Sequence, residues 1–192
     1  MVSQDVITEI DRIIKSVWVK EIKRDYRNGA LLYEDSLKCS LYFHLRKKLD
    51  KILKENNLRI FSEFTFPGLK YRADLVIVEI DPDWWEKDQF LRSSILSYVA
   101  IIELKYTDGV DLATENWIKA DFRKFKRYFQ EGGLDCQFYF AIVYEAECSC
   151  LNWLDKRSTK KWANGRVTEL DSGWIDGTML FEVNSYNGLN ES

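Results

Sequence analysis

A single histidine, His44, leaves little room for chemistry built on a histidine base. It borders an apolar helical stripe and belongs to no recognisable nucleophile motif, which argues against a serine or cysteine nucleophile. A core or boundary role suits it better than a ligand role. Cysteine is scarce too. Cys39, Cys136, Cys148 and Cys150 do not make a secreted disulfide framework in a chain of 192 residues. The Cys148-x-Cys150 pair lacks the second Cys or Cys/His pair of a structural zinc site, and Cys136 opens an apolar run where a small core residue fits. No stretch approaches the roughly 18 apolar residues of a membrane span. The opening MVSQDVITEIDRIIK sets charges inside its apolar pattern, unlike a signal peptide. The expectation is an intracellular, cytoplasmic protein without a membrane partner. Neither charge dominates: 28 Lys and Arg face 31 Asp and Glu, for a net charge of −3. That excludes a globally basic nucleic-acid binder while leaving room for local basic patches. The two prolines, Pro67 and Pro82, both fall in turn signals, and no repeat or low-complexity linker is present.

What is present is apolar bulk: 46% hydrophobic and 15% aromatic residues, enough to build a core. One domain over residues 1–192 is expected. The chain opens with a predicted helix over 3–27, its stripe Ile7, Ile10, Ile14, Val17 and Ile22, stopped by Asn28-Gly29. A second helix is predicted over about 33–56, with Leu37, Leu41, Leu45, Leu49 and Ile52 on its apolar side. Glu34 lies on the stripe's side of that helix. It is either an acid favoured in a first turn or one aimed at a site. A hairpin follows, strands 58–66 and 71–80 about Pro67-Gly68. In its second strand Asp74, Val76, Val78 and Ile80 are expected to share a face, with Arg72 a candidate partner for Asp74 and Glu63 a further nearby acid.

Residues 84–97 form a connection in which Trp84 and Trp85 are expected to pack. A strand over 98–106 follows, then a helix over 112–130 ended by Gly132-Gly133. Trp117, Phe122, Phe125 and Phe129 supply that helix's apolar side, and Lys119, Arg123, Lys124, Lys126 and Arg127 a dense basic one. The nearly all-apolar stretch 136–144 reads as a central strand covered on both faces. Residues 148–162 are expected to be helical, ending in the basic patch Lys156, Arg157, Lys160 and Lys161. Short strands over 166–170 and 178–183 are expected to close the sheet.

The stretch that carries chemistry is Tyr98–Tyr106, YVAIIELKY. A strand's period of two aims Glu103 and Lys105 to one face, beside Val99 and Ile101. Burying charge is costly unless it is paired or used. The bland account pairs Asp74 with Arg72 and Glu103 with Lys105, and exposed pairs of that kind contribute little. If the strands of Asp74 and Glu103 are neighbours, two hard carboxylates converge beside a lysine, a natural site for Mg²⁺ or Mn²⁺. Such an ion polarises a phosphoryl oxygen and activates water, and the lysine stabilises charge on the phosphate. The reaction class is metal-assisted phosphodiester hydrolysis.

Asp74 followed by Glu103-Leu104-Lys105, in an αβββαβ order, resembles the PD-(D/E)xK nuclease superfamily. The written motif opens Pro-Asp, where this chain has Ala73-Asp74. The resemblance spans about residues 30–145 and implies a restriction-endonuclease-like α/β fold. Its central mixed sheet would be flanked by helices, with the helix over 3–27 and an extension over 146–186 packed on it. It implies that Asp74, Glu103 and the Leu104 carbonyl hold Mg²⁺ or Mn²⁺, that Lys105 assists catalysis, and that Glu34 joins from the preceding helix. Lys119 or Lys124 would join from the following helix, and Lys119, Arg123, Lys124 and Arg127 would contact nucleic acid, expected to be DNA. A homodimer would serve cleavage of both duplex strands. The alternative is a catalytically silent module of this fold that binds nucleic acid or a protein partner.

Overall fold

The computed structural model describes residues 2–87, 90–108, 112–148, 151–153 and 162–186; at 112–115, 117–119 and 121 only the backbone is described. The helix expected over 148–162, with Cys150 and the basic patch, falls largely outside them.

The strand β4 (Gln137–Glu147) shows why a sheet sits at the centre. Its side chains alternate between two apolar layers: Tyr139, Ala141 and Val143 on one face, Phe138, Phe140 and Ile142 on the other. A strand buried on both faces needs neighbours on both edges and helices above and below. The sheet supplies six strands in sequence order: β1 (Leu58–Thr65), β2 (Arg72–Ile80), β3 (Ile95–Thr107), β4, β5 (Val167–Ile175) and β6 (Thr178–Ser185). β1, β2 and β3 form an antiparallel meander, β3–β4 and β4–β5 are parallel, and β5–β6 is an antiparallel hairpin. The protein is therefore α/β with a mixed sheet, and the C-terminal strands extend it as expected.

One face is covered by the N-terminal helices. Helix α1 (Gln4–Val17) passes through a π turn, Trp18–Ile22, into α2 (Lys23–Arg27), where the left-handed Gly29 (φ 70°) turns the chain. The wider turn sends Trp18 inward, fully buried, with its indole Nε1 donating to the Asp171 carbonyl of β5 at 3.0 Å. Helix α3 (Glu34–Glu55) lays Leu37, Leu41, Leu45, Leu49 and Leu53 on the same face, Leu53 replacing Ile52, which is only half-buried. The other face is covered by α4 (Leu112–Gln130) through Phe122, Phe125 and Tyr128. His44 is a buried boundary residue, its Nε2 2.7 Å from Asp25 Oδ2.

Two irregularities alter the expected faces. The β2–β3 register slips between Ile77 and Val78, so that Ala100 and Tyr98 are successive partners and Val99 bulges out. Val99 thus joins the α3 side while Ile101 stays on the α4 side, so the expected grouping of Val99 with Ile101 is corrected. The second lies at the Glu63–Asp74 level. Glu63 has φ 54°, and the β1–β2 ladder skips from Ser62–Leu75 to Phe64–Ala73. Ala73, rather than Asp74, therefore joins Val76, Val78 and Ile80 in the α4-side cluster.

Candidate functional site

The β2–β3 ladder is paired as far as Leu75–Ile102 and then stops, though β3 runs on to Thr107. Beyond that point the strands part, and the backbone of β3 needs other acceptors. Asp74 supplies one: its Oδ2 accepts the Leu104 N–H at 2.8 Å. The carboxylate thus replaces a ladder bond and is fixed beside the Glu103-Leu104-Lys105 tripeptide.

The three consecutive residues reach three different elements. Glu103 is 1% exposed, accepts the Tyr128 hydroxyl at 2.9 Å on Oε1, and faces the Lys124 ammonium at 3.2 Å on Oε2. Leu104 binds β2 through Asp74. Lys105 Nζ donates to Glu34 Oε2 at 3.2 Å, reaching α3 on the opposite layer from α4. Although Glu103 and Lys105 share strand parity, their partners come from the two layers that sandwich the sheet.

Local sequence explains why Glu34 stands there. The chain enters α3 through a turn in which Ser36 Oγ accepts the N–H groups of Leu32 at 2.8 Å and Tyr33 at 2.9 Å. Two otherwise unpaired donors are satisfied, and the first helical residue is held over the end of β3. A second tie comes from Tyr106, whose hydroxyl donates to the Leu31 carbonyl at 3.3 Å.

The other oxygen of Asp74, Oδ1, faces the ammonium of Lys38 at 3.2 Å. Lys38 also contacts Glu63 Oε1 and lies 3.6 Å from Asp35. Its side chain is 13% exposed. Burial opposes its charge, but the hydrogen bond to Glu63 and the Asp74 charge outweigh that and raise its pKa. The Glu63 carboxyl is held below its ordinary value by its hydrogen bond to Lys38, against burial, with help from Arg72. Arg72 binds Glu63 at 2.5 Å, and where the bland account would pair Arg72 with Asp74 and Glu103 with Lys105 the structure has Arg72–Glu63, Lys38–Asp74, Lys124–Glu103 and Glu34–Lys105.

Of the residues singled out in the sequence, Glu34, Asp74, Glu103, Leu104 and Lys105 gather around the end of β3, with Lys124 joining from α4. The side chain of Lys119 lies outside the described residues. Arg123 is exposed, and Arg127 stacks over the Tyr71 ring at 5.0 Å with Glu131 at 3.9 Å. Among the described residues, no group of three or more His, Cys, Asp and Glu side chains is placed to hold a metal ion; Asp74 and Glu103 each face an ammonium instead. Lys38 and Tyr128 were missed. Their signal was spacing: Lys38 follows Glu34 by one helical turn, and Tyr128 follows Lys124 by one.

A second acidic pair also escaped the sequence reading. Glu169 and Asp171 of β5 are fully buried. Burial and the neighbouring Glu169 and Glu182 push the Asp171 carboxyl well above its ordinary value, against a hydrogen bond from Asn184. Asp171 accepts that bond at 2.9 Å, and Glu169 accepts the Tyr186 hydroxyl at 3.1 Å. Comparisons with protein-family models, curated proteins and solved structures return no match.

Proposed function

We propose that this protein is a metal-dependent nuclease of the PD-(D/E)xK type, with a restriction-endonuclease-like core, that hydrolyses phosphodiester bonds of DNA. The observation that carries the reading is the bond from Leu104 N–H to Asp74 Oδ2, which holds an acid of one strand against the Glu103-Leu104-Lys105 tripeptide of the next. Glu34, brought to Lys105 from a helix 71 residues upstream, supports it independently.

The donor set suits a hard cation. Asp74 and Glu103 are carboxylates that each already balance a positive charge, and Mg²⁺ or Mn²⁺ prefers such oxygens with water filling the remaining positions. Asp74, Glu103 and the Leu104 carbonyl would hold it, and the ion would polarise the phosphoryl oxygen and lower the pKa of a bound water. The chain's own groups do the rest. Lys105, oriented by Glu34, places a cation where charge develops on the phosphate. Tyr128 and Lys124 fix the rotamer of Glu103. Arg123, with Lys126 on the exposed side of α4, supplies backbone-phosphate contacts that carry affinity without sequence preference. A homodimer would place two such sites on opposite strands of a duplex.

The second reading is a silent module of the same fold that binds nucleic acid or a protein. It draws on one observation: Lys38 and Lys124 already satisfy the two acids. The test is cleavage of circular and linear duplex DNA, single-stranded DNA and structured RNA with Mg²⁺, Mn²⁺ or EDTA. Metal-dependent cutting of DNA by wild type, lost in Glu103→Ala and Lys105→Ala, is expected, with Lys105→Ala keeping its metal affinity. Binding without cutting under every condition would select the silent module.

A further inference from the structure

Among the described residues at the site, Lys38 is the cation to which the proposed reaction gives no role, and its surroundings are more restrictive than those of an ordinary surface lysine. Its ammonium contacts Glu63 and stands 3.2 Å from Asp74 Oδ1, while the side chain is 13% exposed. Asp74 Oδ2 is committed to the Leu104 N–H. Oδ1 carries no such backbone bond and is the freer oxygen for a cation, and Lys38 stands on it. Two cations on one oxygen of a half-buried carboxylate repel strongly, because little water lies between them to screen the charge.

The ammonium also has somewhere else to go. Glu63, whose backbone has a positive φ, and the solvent-facing Asp35 both lie within its reach. We propose that Lys38 and a divalent cation compete for Asp74 Oδ1, so that metal loading requires the ammonium to move onto Glu63 and Asp35. The proposal rests on the reading of Asp74 as a metal ligand and adds to it an internal rival that sets how much metal the site demands. Lys38 is in this sense a positioning residue, acting through Asp74 and not on substrate.

The test is Mn²⁺ affinity, measured by electron paramagnetic resonance on the full chain. Lys38→Met is expected to bind Mn²⁺ at least tenfold more tightly than wild type, and Lys38→Arg, which keeps the charge, to stay near wild type. Equal or weaker binding by Lys38→Met, or an equal gain in Lys38→Arg, would overturn the proposal. Because losing the ammonium leaves carboxylates facing one another, a measurement on wild type stands beside it. Acetylation of Lys38, followed by mass spectrometry, is expected to rise at least threefold as Mg²⁺ is added, while the exposed Lys51 stays constant. Lys38 labelling that does not change with Mg²⁺ would overturn the competition. Tighter Mn²⁺ binding by Lys38→Met with no cleavage of any nucleic acid would keep the competition and remove the nuclease reading. DNA cleavage by wild type with unchanged Mn²⁺ affinity in Lys38→Met would do the reverse.

Discussion

Asp74 has a structural task and a chemical one, and two substitutions separate them. Leu104 is 1% exposed, and its N–H has the Asp74 carboxylate as acceptor. Asp74→Ala strands that donor, at a cost of about 1–3 kcal/mol for a buried unsatisfied amide. Lys38 loses one partner but keeps Glu63, and the loss of this largely buried ion pair falls on Asp74→Ala and Asp74→Asn alike. Asp74→Asn retains an amide oxygen to accept the Leu104 N–H but loses the charge and turns an NH2 donor toward Lys38. The two variants should therefore differ in stability by about 1–2 kcal/mol, or about 2–8 °C in melting temperature for a chain of this size. Urea unfolding with matched m-values measures the difference, and amide exchange at Leu104 localises it. Cleavage in Mg²⁺ should fall at least a thousandfold in both. Equal stability of the two variants would refute the claim that this carboxylate holds the parted strands. Cleavage retained by Asp74→Asn would refute its role as a metal ligand.

Trp18→Phe keeps most of the buried ring but removes the donor to the Asp171 carbonyl, and urea unfolding should show a loss of about 1–2 kcal/mol. Asp171 has a folded-state pKa above its unfolded value, so the folded protein binds the extra proton. The stability it contributes is complete below the ordinary carboxylate pKa and is lost as pH rises toward the elevated value. Asp171→Asn should flatten that decline, which urea midpoints at pH 5 and pH 8 will measure, and a wild-type decline left intact in the variant would count against it. Replacing Arg123 and Lys126 together by Ala should weaken DNA binding without changing the sequence preference. The salt dependence of binding should fall by about one unit of slope for each phosphate left without its cation.

The architecture was legible because the apolar periods are clean. The 3.6-residue stripe of α3, the all-apolar run of β4 and the basic–apolar division of α4 each allow one placement. The meeting of Asp74 with Glu103-Leu104-Lys105 needs only that their strands be neighbours, whereas Glu34, on a helix, was expected there through the family resemblance. What could not be read were departures of one residue. A bulge at Val99 and the positive φ of Glu63 change which way neighbouring side chains point, and neither leaves a glycine or proline to announce it. The π turn in the first helix is equally silent. The two ion pairs of the non-catalytic account, Arg72–Asp74 and Glu103–Lys105, join residues two apart in sequence, whereas the fold offers Glu63, Glu34 and Lys38 from other elements. The burial of Glu169 and Asp171 was hidden because an alternating strand with acids reads as a solvated edge.

Each strand lies beside its neighbour in sequence, so the sheet can be laid down progressively as synthesis proceeds. The residues gathered around the end of β3, apart from the contributions of α4, reside in the first 107 positions. Completion is a different matter. Trp18 finds its acceptor 153 residues further along, and its ring lies 5.6 Å from that of Phe181 in the final hairpin. Closing so long a loop is entropically slow compared with pairing adjacent strands. The first helix can settle on α3 and β4 beforehand, but the Trp18 indole gains this acceptor and this ring neighbour only when the last hairpin arrives, so the final strands close over an N-terminal segment already in place.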